Sequence, residues 1–482
     1  MLHFRRYWYR YLCFGIACVA LLNILLQNFN RPTMNKALDE GKQRDSLERI
    51  TLADNNENSA GISERKTTVD KEWQQIPRHK NNGDRDWQGV YKQGNQLFAY
   101  SAFFDNRTIP QSQRPEAPHV VIIGLTVELP KKLFCGFSES EKSDVTDFTP
   151  ASFRTSFQSA RKPPFTKFFV VHCPWLRTKR LPSYVVLDHN ITRLVTVPEW
   201  KIRVEFPQVP RKRLDFLVCV NDVYNIGKQS VDPLQPKRVI EWLELNRILG
   251  VDHFVVYKHS MSPQIEAVME YYAEKGLLDV YSKSVLAFDP PFKKPDSDVS
   301  LNDCLYRFMH SYNYIIFVDF DEVITSYKSD NYSALLEEVS KFSRAGKNDT
   351  HFMFRNQRYF IDDPSLNPAL AHPHPLVTQY ATRHVVPEKE YVRTKHIMAP
   401  HVCFAVSPHY CVGQIPGIRY LTVALSRHYK SCVRSRGETR VENCTAMFQS
   451  SVQDTSMTRF GNHLLQNYKT ALKEFESFVV LH

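Results

Sequence analysis

Between Leu214 and Val318 the hydrophobic pattern of this chain changes period again and again. Leu214–Val220 (LDFLVCV) is an almost unbroken apolar run, as expected of a strand covered on both faces. Pro236–Leu249 then carries Val239, Ile240, Leu243 and the pair Ile248–Leu249 at helical spacing, with Gly250 as a stop. Asp252–Lys258 predicts a strand, Gln264–Lys275 a helix stopped by Gly276, Leu277–Tyr281 a strand and Ser300–Tyr312 a helix. Such alternation predicts parallel βαβ units with right-handed crossovers, so the fold class is α/β. The next run, Tyr314–Val318, ends abruptly in Asp319-Phe320-Asp321-Glu322. The carboxyl ends of strands are where open α/β sheets hold ligands. If that strand continues, Asp319 and Asp321 share a face and Glu322 turns away. Adjacent like charges are best tolerated beside a divalent cation; a solvated acidic turn is the plainer alternative.

The pattern differs on either side of this block. Short β-like runs recur between Gln96 and Trp200, at Leu97–Phe104, His119–Val127, Phe165–His172 and Tyr184–Leu187, and predict a small β-rich domain. Beyond Ile324, Phe352–Phe354 and Leu421–Leu425 predict strands, Asp362–Pro375 a loop and Phe460–Val479 a closing helix. From Asn30 to Trp87 the chain is polar and aperiodic, too poor in apolar residues to fold alone, and reads as a stem. Before it, Arg5, Arg6 and Arg10 precede an apolar run from Tyr11 to Leu26, with Tyr7, Trp8 and Tyr9 as an interfacial belt. No small-residue cleavage site follows at Gln27–Asn30, so an uncleaved signal anchor with a lumenal body is expected rather than a signal peptide. The organisation expected is a cytoplasmic tail (1–10), anchor (11–28), stem (29–95), β-rich domain (96–205) and α/β catalytic domain (206–482).

Composition adds two constraints. A net charge of +11 over 482 residues, without a long Lys/Arg block, argues against nucleic acid and for anionic small ligands such as a nucleotide sugar. Eight cysteines beyond the anchor, in an oxidising compartment, predict disulfides, with Cys135 and Cys173 as the pair inside the β-rich domain. No Cys-x-x-Cys occurs, which argues against a zinc ribbon. Asn106, Asn190, Asn331, Asn348 and Asn443 open glycosylation sequons.

A strand ending in Asp-x-Asp suits a metal-dependent nucleotide-sugar transferase, because the leaving nucleoside diphosphate gathers negative charge that a divalent ion neutralises. Oxygen ligands suit Mn²⁺ or Mg²⁺, and one imidazole from His409 or His428 would favour Mn²⁺. Two rivals stand beside this reading. Asp-Phe-Asp-Glu-Val-Ile also fits the opening motif of haloacid-dehalogenase-type phosphatases, with Asp319 as nucleophile. A lumenal carbohydrate-binding protein that has lost activity is the other.

Leu214–Asn225 (LDFLVCVNDVYN), Val239–His259 (VIEWLELNRILGVDHFVVYKH) and Asn302–Phe308 (NDCLYRF) resemble glycosyltransferase family 92, the former domain of unknown function 23. So do Ile315–Ile324 (IIFVDFDEVI), Arg393–His409 (RTKHIMAPHVCFAVSPH) and Arg427–Lys430 (RHYK), so that the resemblance runs from about Ala99 to Lys430. It departs at Asn221-Asp222, where the family commonly has Ser-Pro. The resemblance implies a GT-A-type catalytic domain in a type II Golgi membrane enzyme. The implied reaction is inverting transfer of galactose from UDP-galactose to a glycan, in nematode-type members to fucose on N-glycan cores. It assigns Asp319 and Asp321 to metal and diphosphate, His428 first and His409 second as the further ligand, and Lys395 and Arg393 to the diphosphate. Asn302 and Asp303 would reach sugar hydroxyls, with a helix N-cap as the other reading of Asp303, and Trp242 belongs to the core. The general base that an inverting transfer needs is sought at Asp362 or Asp363, with Glu388 and Glu390 as alternatives. Expected partners are a UDP-sugar, a glycan or glycoprotein acceptor, the membrane and a second copy of the chain.

Overall fold

The computed structural model describes residues 87–91, 97–107, 118–126, 132–155, 167–175, 181–189, 201–226, 235–283, 297–341, 350–362, 376–412, 419–432 and 441–481. The tail, the anchor and the stem up to residue 86 lie outside them, as do Asn190, Asn348 and Asp363. Among the described residues no helix is long and apolar enough to cross a membrane.

Nine strands form the first sheet: β1 (Gln88–Tyr91), β2 (Leu97–Asp105), β3 (His119–Thr126), β4 (Phe134–Ser138), β5 (Thr146–Pro150), β6 (Ser152–Thr155), β7 (Lys167–Pro174), β8 (Tyr184–Asp188) and β9 (Ile202–Glu205). Their order is β5-β4-β8-β9-β2-β3-β7-β6, with β1 on β2. Thus Gln88–Tyr91, read from sequence as the end of the stem, is a strand of this sheet. Cys135 in β4 and Cys173 in β7 are disulfide-bonded. Three further disulfides join Cys219 to Cys304, Cys403 to Cys411 and Cys432 to Cys444.

The second half alternates as its pattern predicts: β10 (Leu214–Ile226), α1 (Pro236–Ile248), β11 (His253–Met261), α2 (Pro263–Glu274), β12 (Leu278–Ser282), α3 (Ser297–Phe308) and β13 (Tyr312–Val318). There follow β14 (Glu322–Ser326), α4 (Tyr332–Ser340), β15 (His351–Phe360), α5 (Leu376–Gln379), β16 (Thr382–His384), β17 (Lys395–Met398), β18 (Ala405–Ser407), β19 (Tyr410–Val412), β20 (Arg419–Lys430), α6 (Val441–Gln449), β21 (Ser451–Gln453) and α7 (Gly461–Leu481). The strand order is β12-β11-β10-β13-β17-β15-β16-β21. The first four are parallel, and β17 lies antiparallel between β13 and β15. The stops fall where glycine was read: Gly250 (φ +98°) and Gly276 (φ +69°) take the left-handed conformation that costs glycine least. After them, Val251 N donates to Asn246 O and Leu277 N to Tyr272 O, closing both helix ends.

Two cores cover the two faces of this sheet. On one, α1, α2 and α7 cover Phe216, Val218, Val256 and Ile316. On the other, α3 lies between the two sheets, with Leu301, Leu305 and Tyr306 against Leu217, Val255 and Phe317 on one side and Phe103, Val121 and Ile123 on the other. Every α3 residue from Asp298 to Phe308 is buried, including its charged ones. Arg307 therefore needs partners, and it finds Asp303 one turn back and Glu205 of β9.

A buried histidine pair lies within the second sheet. His396 Nε2 donates to Ser407 O at 3.3 Å, so its Nδ1 accepts from His351 Nε2–H at 3.2 Å. Burial pushes the His351 imidazole down to about 4 and His396 well below its ordinary range. A histidine with a lowered folded-state pKa binds its proton more readily when unfolded, so stability is complete above about 6.5 and is lost as pH falls toward 4. The His351 ring alone predicts a loss of about 2 kcal/mol between pH 7 and pH 5, read by urea unfolding at the two values. His351→Phe should remove the His351 share of that loss and leave the share of His396.

Candidate active site

The acidic motif does not continue its strand. β13 stops at Val318, and Glu322 N donates to Asp319 O at 3.0 Å, closing a turn before β14. The turn breaks the strand alternation and brings Glu322 back beneath the pair, a correction to the expectation that it faces away. Two anchors hold the reversal: Trp242 Nε1 of α1 donates to Glu322 O at 2.7 Å, and Tyr429 N of β20 donates to Asp321 O at 2.8 Å. Trp242 also meets the Phe320 ring edge-on at 4.9 Å, so it is a core residue that shapes the motif.

Around this turn the side chains divide into two paired sets. Lys395 Nζ, at the start of β17, lies 2.8 Å from Asp319 Oδ2 and 2.8 Å from Glu322 Oε2. His428 Nε2, on β20, lies 3.0 Å from Asp321 Oδ2. Its Nδ1 is 3.5 Å from Glu322 Oε1 and 3.3 Å from Asn356 Nδ2 of β15. Register explains the meeting, since Glu322 is paired with His428 across β14 and β20. Glu322 and Lys395 are each 2% exposed at their side chains, whereas Asp319 and Asp321 are 37% and 34% exposed and open to a ligand.

The charges follow from this packing. Partial burial works against the ionised Asp321, but His428 and then Lys430 and Lys395 outweigh it and hold its carboxyl well below the usual range. Asp319 is lowered in the same way, chiefly by Lys395. Burial pushes the Glu322 carboxyl up to about 7, with Asp319 adding to the effect and Lys395 opposing it. Burial would also favour a neutral Lys395, yet Asp319 and Glu322 keep its ammonium charged.

Asp321 and His428 offer one carboxylate and one imidazole at a shared point, with Asp319 beside them. Among the described residues no group of three or more His, Cys, Asp or Glu is already arranged as a metal site. A set of this kind fits a Mg²⁺- or Mn²⁺-class ion that takes its remaining ligands from substrate phosphates and water. Glu322 would then stand behind His428 as the carboxylate that orients a metal-bound imidazole.

The other expected site residues lie as follows. Lys395 is committed to the acidic turn, where sequence placed it on the diphosphate. Arg393, at φ +52°, pairs with Glu388 at 3.3 Å. Asn302 donates to Asp298 O and Val406 O and accepts from Val406 N, so its amide is spent on joining α3 to β18. Asp303 sits within α3, not at its cap, accepting from Tyr257 Oη at 2.6 Å and from Arg307. Both are buried structural groups rather than contacts for sugar hydroxyls. Asp362 accepts from Ser431 Oγ and from Cys432 N. It stands four residues past Arg358, the partner of His428, and beyond the end of β15 at Phe360. Glu388 is nearer: its N donates to Asn356 O at 2.8 Å. Asn106 and Asn331 are exposed, Asn331 also capping α4 through Ala334 N, and Asn443 falls in α6.

Glu322 and Asn356 are the residues that sequence reasoning missed. For Asn356 a signal existed: Asn-Gln interrupts the run from His351 to Phe360, and a polar pair inside a buried strand needs partners.

No curated protein matches the chain. Among solved structures, the crystal structure of S. aureus TarS 1–349 is similar at 14% identity, covering 45% of this chain and 61% of that one, with a TM-score of 0.26. The match therefore spans about three fifths of the TarS segment, which is also known in complex with UDP. Glucosyl-3-phosphoglycerate synthase from Mycobacterium tuberculosis, in complex with phosphoglyceric acid, is similar at 13% identity over 49% of this chain and 76% of that one, with a TM-score of 0.22. Residues 215–475, more than half of the chain and all of the site just described, match Glycosyltransferase family 92. The chain belongs to glycosyltransferase family 92.

Proposed function

We propose that this glycosyltransferase is a metal-assisted enzyme with a GT-A-type domain that transfers galactose, with inversion, from UDP-galactose to a glycan, fucose on an N-glycan core being the acceptor to try first. The observation that carries the metal-assisted reading is the turn Asp319–Glu322 at the carboxyl end of β13, with His428 on Asp321 and Lys395 on Asp319. Asp319, Asp321 and His428 would hold Mn²⁺ or Mg²⁺, which supplies Lewis-acid neutralisation of the leaving diphosphate. The protein's own contribution is to fix these ligands before donor arrives: Glu322, Asn356 and Trp242 hold the turn and the imidazole, and Lys395 offsets the crowded negative charge. Galactose and the acceptor rest on the family resemblance, as do the Golgi membrane location and the lumenal orientation.

A donor screen by nucleotide release with Mn²⁺, followed by a glycan acceptor array, tests the reading. UDP-galactose is expected to be consumed in preference to other nucleotide sugars. Consumption of a different donor moves the sugar assignment, and release from none of them overturns glycosyl transfer for this chain.

A further inference from the structure

The hairpin β18–β19 turns at Pro408-His409, and an unusual number of polar groups hold it still. Thr394 Oγ1 donates to His409 O at 2.8 Å, while His409 Nδ1 donates to Thr394 O at 3.0 Å. Behind the turn, Asn302 grips both backbone groups of Val406, Tyr306 Oη donates to Phe404 O, and His396 donates to Ser407 O. The Cys403–Cys411 disulfide closes the hairpin's base, and Arg107 of the first sheet donates to Pro400 O and Cys403 O. The residue at the tip is a half-buried imidazole. With Nδ1 carrying the proton, Nε2 is left as an acceptor, and it has no partner among the described residues.

Its surroundings tell what that free lone pair is suited to. Lys395 on β17, Arg393 just before it and Asp319 after β13 are the charged groups within electrostatic reach, and Glu388 faces Arg393. Burial and then Lys395 hold His409 below its ordinary range, so the imidazole is neutral. His428 already stands on Asp321 as the imidazole of the candidate metal site, which leaves the lone pair of His409 for a proton.

We propose that His409 is the general base of the transfer, its Nε2 taking the proton of the acceptor hydroxyl. This rests on the reading of the chain as a glycosyltransferase acting on a nucleotide sugar. The acceptor oxygen bonds to the anomeric carbon as the bond from that carbon to the diphosphate oxygen breaks, and the electron pair leaves with the nucleoside diphosphate. The proton passes to Nε2 and then to water. Thr394 fixes the tautomer and the direction of the ring, as the orienting partner of a catalytic histidine must.

The test is a pH series of transfer on wild type and His409→Asn, using the donor and acceptor found by screening. Asn keeps a donor for Thr394 O. The variant is expected to lose about 100-fold in kcat, with donor affinity by calorimetry and acceptor KM little changed. The acidic limb of the wild-type profile, set by protonation of Nε2 below the ordinary histidine range, should vanish in the variant. Free imidazole should restore part of the rate to His409→Ala. Retention of the limb and near-normal kcat in His409→Asn overturns the proposal, as does loss of the limb in Glu388→Gln. If the variants misfold, a wild-type profile flat between pH 4 and pH 7 overturns it unaided. Wild type that uses no nucleotide sugar overturns the functional reading itself, so the wild-type arm tells the two failures apart.

Discussion

Asp321→Asn lowers transfer by at least about 1,000-fold, equivalent to about 4 kcal/mol of transition-state stabilisation, while the chain folds as before. The substitution keeps the size of the side chain and removes its charge. Folding is spared because the turn is held through backbone groups, Asp321 O by Tyr429 N and Glu322 O by Trp242. The carboxylate is also about one third exposed and so contributes little to the core. Catalysis is not spared, since on the proposed reading the charge it supplies lies where the diphosphate leaves. Transfer rates and circular-dichroism unfolding, measured on the same preparations, separate the two effects. Full activity in Asp321→Asn, or in wild type with EDTA, would sink the metal role.

Lys395→Met produces the largest loss of stability expected from a single change at the site. Its ammonium is the cation shared by Asp319 and by Glu322, and Glu322 is 2% exposed. Removing one partner of a buried ion pair costs about 3–5 kcal/mol, because the other charge is left without compensation. Glu322 can escape by taking up a proton. Its folded-state value of about 7 already lies above the ordinary carboxylate range. An acid raised in the folded state loses stability as pH rises from its unfolded value to its folded one, so the penalty of Lys395→Met grows on going from pH 5 to pH 8. Adding Glu322→Gln should recover part of the loss, and denaturant unfolding of the four proteins measures the coupling. Strict additivity of the two changes would show that the pair does not interact.

Much of this arrangement could be read from residues alone, for a physical reason. Strands covered on both faces and helices covered on one leave strong periodic signals, which is why α1, β11, α2 and β12 fall within a few residues of their expected bounds, while β10 starts where it was read, at Leu214, and runs six residues further, to Ile226. Boundaries were less legible: the helix read over Ser300–Tyr312 runs from Ser297 to Phe308, and Tyr312 already belongs to β13. β20 was visible only as Leu421–Leu425, because Ser426, Arg427 and His428 look like a loop until their buried partners are known. Arg427 is fully buried through Thr325, Tyr359, Asp454 and Ser456, four residues distant in sequence from it. The site shows the same division. Asp319 and Asp321 announce themselves at the end of an apolar run, but the reversal that returns Glu322 depends on Trp242 and Tyr429. Asn302 looked like a sugar contact for the opposite reason: it is polar and near the motif in sequence, and only its contacts show that it steadies the hairpin.

The position of α3 between the two sheets bears on how the chain can be shortened. A polypeptide begun at Arg213 would keep every residue of the acidic turn, yet would bare the Tyr306 ring that stacks on Phe103. It would also strip Glu205 from Arg307 and Arg107 from the base of the hairpin that carries His409. The smallest chain that keeps these contacts therefore starts upstream of Gln88, because the two sheets share one core and fold as one unit.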